Sequence, residues 1–292
     1  MKINYFDIHS HLESSKFDED RETVISCMQD EGVFTITVGT DLESSKKVVW
    51  LASKHENIFA SIGLHPTDSD EGFDEKDYTE LVKNPKVVAV GECGLEFSKL
   101  GENFEQDIKS LETTEQDTKP LEIMGQDPKL LEMIGQGKQR QIDIFQKQID
   151  FAVKYDKPLM IHCRDAHFET VEILEKNKKI HGEKLRGNIH FFSGDLELAK
   201  KYIDLRFMIS FTGVITFARE YDEVIKKIPL EYIMAETDAP FVAPAPFRGQ
   251  RCEPIYVKEV VKKISEIKNL PEEDVKNKLV ENSVRFFSPN FS

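Results

Sequence analysis

The chain has 292 residues, long for an average domain but ordinary for one α/β barrel. Its formal net charge of -14 argues against a non-specific nucleic-acid coat protein, but not against a nucleic-acid enzyme, whose binding face alone needs positive charge. No apolar run approaches the roughly 18–20 residues that span a bilayer, so no membrane partner is expected. Residues 1–7 run into the first predicted strand without a signal-peptide pattern. The four cysteines lack CxxC spacing and read as free thiols. The expected location is cytoplasmic.

Eight short apolar runs recur, at 5–8, 33–38, 58–64, 87–90, 159–161, 185–191, 207–211 and 232–235. Several are rich in Val, Ile and Phe without strict alternation, as strands buried on both faces should be. Helical periodicity appears between them. One stripe spans about 140–155 and includes Ile142, Phe145 and Ile149. Another follows Pro254, with Val257, Val260, Val261 and Ile264. Strands alternating with helices define an α/β fold, either a (β/α)8 TIM barrel or a doubly wound open sheet. The barrel is the stronger reading, because candidate ligands end strands 1, 4, 5, 6 and 8 and only a closed sheet brings those ends to one point. A single domain over residues 1–292 is expected.

One segment breaks the rhythm. Residues 101–137, after strand 4, hold an imperfect ten-residue repeat marked by Lys109, Lys119 and Lys129 and by Leu111, Leu121 and Leu131. A ten-residue step turns a helix by about 80°, so these leucines form no stripe. Pro120 and Pro128 should interrupt a long helix. The segment carries nine acidic and three basic residues. It reads as a mobile acidic insertion in a surface loop, with a lid or partner-docking element as the alternative.

The strand ends carry the chemistry. Alternate residues of a strand share a side, so His9 and His11 can grip one metal ion; Asp7 shares their parity and is a candidate either to orient a histidine or to serve as a structural acid. Glu92, flanked by Gly91 and Gly94, follows strand 4, where a buried carboxylate is costly unless paired or metal-bound. Its two oxygens could bridge two ions. His162 and His190 end strands 5 and 6, and Asp238 ends strand 8. Four imidazoles and two carboxylates suit two divalent ions, Zn, Mn or Fe by donor type and Mg by tolerance. Asp238 is the candidate general base for the attacking water. His65 is a candidate substrate group or a loop cap. Arg248 and Arg251 are candidate phosphate contacts or ion-pair partners, and Arg164 has the same double reading. Cys93 and Cys163 should point into the helix layer.

The elements FDIHSH, GLHP, VGECGL, KPLMIHCRDA, HFFSG, SFTGVITF, AETDAP and PFRGQRCEP occur in this order. Together they resemble the TatD-type metal-dependent deoxyribonucleases of the amidohydrolase superfamily, from Phe6 to about Phe287. The resemblance implies a TIM barrel, divalent metal and 3′→5′ exonuclease-type hydrolysis of DNA phosphodiesters. It implies one ion on His9, His11, Glu92 and Asp238, and the other on Glu92, His162 and His190. Two departures stand out: Glu96 where this family commonly has aspartate, and Cys252 in place of a usual asparagine. The alternative activity is ester cleavage on a D-aminoacyl-tRNA. A non-catalytic scaffold docking partners through the repeat is a third reading, opposed by the presence of all six candidate ligands.

Overall fold

The computed structural model describes residues 2–98, 100 and 128–289. Eight strands run in chain order around one sheet: β1 (Tyr5–Ser10), β2 (Val33–Val38), β3 (Ile58–Ile62), β4 (Val87–Glu96), β5 (Leu159–Arg164), β6 (Gly187–Ile189), β7 (Met208–Phe211) and β8 (Ile233–Ala235). Each pairs in parallel with the next. The sheet closes where Ser10 bridges Ala239. Two backbone bonds seal that seam, His11 N–H to Ala239 O at 2.6 Å and Asp238 N–H to His9 O at 2.9 Å. The fold is the (β/α)8 barrel, whose C-terminal strand ends form the functional face.

Two apolar layers hold it. Phe6, Phe34, Phe59, Met160, Met208 and Met234 belong to the cluster that fills the barrel. Intervening strand residues such as Val33, Ile58, Ile161 and Ile209 pack outward against the helices. The helices are α1 (Arg21–Asp30), α2 (Leu42–Ala52), α3 (Glu75–Val82), α4 (Pro128–Lys154), α5 (His167–His181), α6 (Leu196–Asp204), α7 (Asp222–Lys227), α8 (Val257–Lys268) and α9 (Glu272–Phe287).

Two strands depart from regular pairing, both at candidate ligands. In β1, Phe6 and Ile8 face the barrel interior, so simple alternation would turn His9 outward. The register breaks between Asp7 and Ser10 and returns His9 to the interior. In β4, Val90 and Cys93 both belong to the outer layer, and the register breaks between them. There Glu92 N–H leaves the ladder for Gly39 O at 3.0 Å. Gly91 (φ 155°) and Gly94 (φ 134°) permit this path. A Cβ on Gly91 would stand 2.4 Å from Met160 O, and one on Gly94 2.0 Å from His162 O.

The break in β1 also corrects the parity expected for Asp7. Its carboxylate does not share the side of His9 and His11. It is fully buried and ties β1 to the chain after β8, accepting from Thr237 N–H at 2.8 Å and Thr237 Oγ1–H at 2.7 Å.

The helix expected over 140–155 begins earlier. Pro128 opens α4 instead of interrupting a helix, because the first helical residue needs no amide hydrogen. The last ten residues assigned to the insertion, 128–137, are therefore helical, and Leu131 is exposed. The expectation of a mobile loop over 101–127, Pro120 included, falls outside the described residues. No described helix is long and apolar enough to cross a membrane.

Candidate metal centre

All six candidate ligands meet at the C-terminal mouth of the barrel. Glu92 is the hub. Its Oε1 lies 2.9 Å from His162 Nδ1 and 3.0 Å from His190 Nε2. Its Oε2 lies 3.5 Å from His9 Nε2 and 3.8 Å from His11 Nε2. Asp238 Oδ1 stands 3.7 Å from His9 Nε2 and 3.5 Å from His11 Nε2. The two imidazole Nε2 atoms of His9 and His11 are 3.2 Å apart. Asp238 holds a left-handed backbone (φ 57°), a conformation that aspartate tolerates and that recurs at functional turns.

The outer faces of the rings fix which nitrogen points inward. His11 Nδ1–H donates to Val38 O at 3.0 Å, leaving the Nε2 lone pair for the centre. His190 Nδ1 faces Glu236 Oε2 at 3.5 Å, and its Nε2 likewise points to Glu92. Burial alone would push the Glu92 carboxyl up, but His190, His65 and His162 hold it well below the usual range. Asp238 is lowered in the same way, burial being outweighed by His11, His9 and His190. Burial would lower His190, yet Glu236 and Glu92 raise it well above an ordinary histidine. His11 is also raised against burial, by Asp238 and Glu13. The centre is thus two carboxylates wrapped in positive or proton-sharing imidazoles.

These groups fit divalent ions. Donors at about 2.1 Å from one ion stand about 3.0–3.4 Å apart at its octahedral or tetrahedral corners. Donor atoms of His9, Glu92 and His190 lie within 4.8 Å of one another, close to that spacing, as do those of His9, His11 and Asp238. A third group joins His65, Glu92 and His162. Imidazole with carboxylate is the donor set of Zn, Mn and Fe sites, and Mg accepts its oxygens.

The structure separates the remaining candidates. His65 borders the centre, its Nε2 3.5 Å from Glu92 Oε1. Its other face caps the turn at Pro66–Glu71, where Thr67 N–H donates to Nδ1 at 3.2 Å. An Nδ1 that accepts leaves the ring proton on Nε2, so His65 presents a donor to the cavity. Burial, partly opposed by Glu92, lowers its pKa to about 3 and keeps the ring neutral. Arg164 lines the same cavity, which encloses about 740 Å³. Arg248 and Arg251 are not among the residues that line it. Arg248 lies over the Phe217 ring at 3.5 Å. Arg251 grips both oxygens of Asp20 at 2.7 Å and Glu253 at 2.9 Å, so its guanidinium is engaged within the protein. Cys93 packs in the outer layer, and Cys163 meets His167, Thr170 and Tyr202.

Several contributors escaped the sequence reading. Glu13 lies 3.4 Å from His11 Nδ1, Glu96 Oε2 3.1 Å from His162 Nε2, and Glu236 stands behind His190. An aromatic rim of Phe191, Tyr221 and Phe241 borders the cavity. Glu96 and Glu236 carried one usable signal, an acid at the end of an apolar strand, which is costly to bury without a partner.

Comparison with known proteins agrees with this geometry. A family model described as TatD related DNase matches residues 6–288. The chain is 34% identical over 291 residues to YabD of Bacillus subtilis, described as a metal-dependent hydrolase, covering 98% of this chain and 99% of YabD. It is 28% identical to the metal-dependent hydrolase MJ1582 of Methanocaldococcus jannaschii, covering 98% of this chain and 97% of that protein. The crystal structure of YJJV, a TatD homologue from Escherichia coli, superposes with a TM-score of 0.78 at 26% identity, covering 99% of both chains. The chain therefore belongs to the TatD family of metal-dependent hydrolases.

Proposed function

We propose that the protein is a deoxyribonuclease that removes nucleotides from a DNA 3′ end by hydrolysing phosphodiesters, with two divalent ions held by His9, His11, Glu92, His162, His190 and Asp238. The observation that carries this reading is the sharing of Glu92: its two oxygens face two different sets of imidazoles across one carboxylate. The family's description as DNase-related supports the substrate class. So does the mouth of the cavity, where Arg164 can meet a phosphate and Phe191, Tyr221 and Phe241 offer faces for bases.

Bound divalent ions would supply Lewis acidity to a phosphoryl oxygen and make water a stronger acid. The protein's own groups do the rest. Asp238 is anionic at neutral pH, and its Oδ1 accepts the proton of the water that attacks phosphorus; the P–O3′ bond breaks, and the departing 3′ oxygen takes a proton from Asp238 or from solvent. Neutral His65 donates its Nε2–H to an oxygen of the phosphate. Arg164 offsets charge that grows on the phosphate in the transition state. The barrel walls hold these groups in place before substrate arrives.

The test is to strip the protein with EDTA and offer end-labelled single-stranded DNA beside a D-aminoacylated tRNA, with Mg, Mn or Zn. Metal-dependent release of mononucleotides from the 3′ end, abolished in Asp238→Asn, is the expected result. Cleavage of the tRNA ester alone would reassign the substrate. Activity of Asp238→Asn near that of the natural chain would remove Asp238 as base.

A further inference from the structure

We propose that Glu96 is a positioning residue of the metal centre, holding His162 so that this ring offers Nδ1, and not Nε2, to the ion beside Glu92. The inference rests on the metal reading above and adds a role for a residue outside the six ligands.

His162 stands between two carboxylates. Nδ1 is 2.9 Å from Glu92 Oε1, and Nε2 is 3.1 Å from Glu96 Oε2. A neutral imidazole has one lone pair and one N–H, so a ring that ligates through one nitrogen donates through the other. Glu92 faces the imidazoles of His190 and His65 as well as His162, which makes the Glu92 side the cation side. Glu96 meets His162 from the opposite edge, as the acceptor of its Nε2–H.

Glu96 is built for that task. It ends β4 and is 2% exposed while bordering the cavity. Its second oxygen, Oε1, accepts from the Ser98 amide at 3.0 Å and from the Ser98 hydroxyl. Its backbone is clamped at both ends by one side chain. Glu96 N–H donates to Gln141 Oε1 at 2.9 Å, and Gln141 Nε2–H donates to Glu96 O at 3.0 Å. Gln141 comes from α4, so a helix packed outside the barrel fixes the register of the carboxylate inside it. The reach also depends on length, since an aspartate at this position would be one methylene shorter than the side chain that spans to His162 Nε2.

The experiment titrates EDTA-stripped protein with Mn²⁺ by calorimetry and records ¹⁵N spectra of histidine-labelled, Zn²⁺-loaded protein. The natural chain should show two binding steps, with the His162 proton on Nε2. Glu96→Ala should weaken one step by about 10–100-fold and leave the other unchanged. Glu96→Gln, which keeps an oxygen acceptor, should recover part of the loss, and Glu96→Asp should fall between Gln and Ala. If Glu96→Ala does not fold, Ser98→Ala loosens the carboxylate without removing it and should weaken the same step by a smaller factor. Two unchanged steps in a folded Glu96→Ala, or a His162 proton on Nδ1 in the natural chain, would overturn the proposal. No binding step in the natural chain would instead bring down the metal reading itself, and this proposal with it.

Discussion

Glu236 stands behind His190: its Oε2 lies 3.5 Å from His190 Nδ1, while Nε2 of the same ring meets Glu92 Oε1 at 3.0 Å. The ring is thus held between a buried acid on the outer side and the shared carboxylate on the inner side. Glu236 is fully buried, and its other oxygen accepts from the Phe191 amide. Removing the outer acid takes away the partner of Nδ1 and lowers the basicity of the ring. Glu236→Ala is expected to weaken metal binding by about 10–100-fold, read by competition with a chelator. Affinity equal to that of the natural chain would show that His190 is oriented by packing alone.

The metal-free protein should have an unusual pH profile. His11 and His190 titrate well above 6.5, burial being outweighed by Asp238 and Glu13 for the first and by Glu236 and Glu92 for the second. Their contribution to stability is complete below 6.5 and is lost as pH rises through the raised values. Glu92 and Asp238, held below 4.5 and 3.8 against burial by the surrounding imidazoles, contribute above those values and lose that contribution as pH falls through their lowered ones. Buried His65, lowered to about 3, and His9, also lowered by burial, work the other way, losing their contribution as pH falls below 6.5, so stripped protein should be most stable at about pH 6.5, with Tm falling toward alkaline pH. Mn²⁺ should stabilise more as pH rises, because ligation needs unprotonated imidazoles. A Tm of the stripped protein that climbs between about pH 6 and pH 9 would contradict this scheme.

Asp7 makes a structural prediction. Its carboxylate accepts from the amide and hydroxyl of Thr237 and from the His9 amide, all buried. Asp7→Ala strands those donors and should cost about 2–4 kcal/mol. For a chain of this size that is a Tm drop of roughly 3–7 °C in differential scanning calorimetry. A shift of less than about 1 °C would mean that water or a neighbour satisfies the seam.

Gly94 is the sharpest test of the β4 path. A Cβ there would stand 2.0 Å from the His162 carbonyl oxygen. Gly94→Ala must push β4 and β5 apart at the ligands, so loss of metal binding or of folded protein is expected. Gly72→Ala is the control, since it has a positive φ of 72° but nothing within 4 Å. Its ψ of 152° puts it in a region that favours glycine, so the substitution should cost about 1–3 kcal/mol without any steric clash. Equal stability of the two variants would argue against the close approach of β4 to β5.

The fold was legible because its strands are short apolar runs that end in polar residues, a pattern that survives errors of several residues at the edges. The candidate ligands were legible for a related reason: His and Glu after Val-rich runs stand out chemically. Strict alternation along β1 was the weak link. It correctly put His9 and His11 together but put Asp7 with them, because a register break leaves no mark in the residue types. Arg251 shows a second limit. Its partner Asp20 lies 231 residues away, and nothing in either segment announces the pair. Glu96 shows a third. It stood out as a departure from a family pattern and as an acid ending an apolar strand, while its contact with His162 depends on a clamp from α4 that no local motif encodes.

The seam between β1 and the chain after β8 has a further consequence for biosynthesis. His9 and His11 leave the ribosome long before Asp238 and the Thr237 anchor, which follows Asp7 by 230 residues. A nascent polypeptide halted before β8 carries His9, His11, Glu92, His162 and His190 without Asp238. The six-residue cluster can close only once β8 and the residues that follow it have emerged, so fragments that end before β8 should lack it.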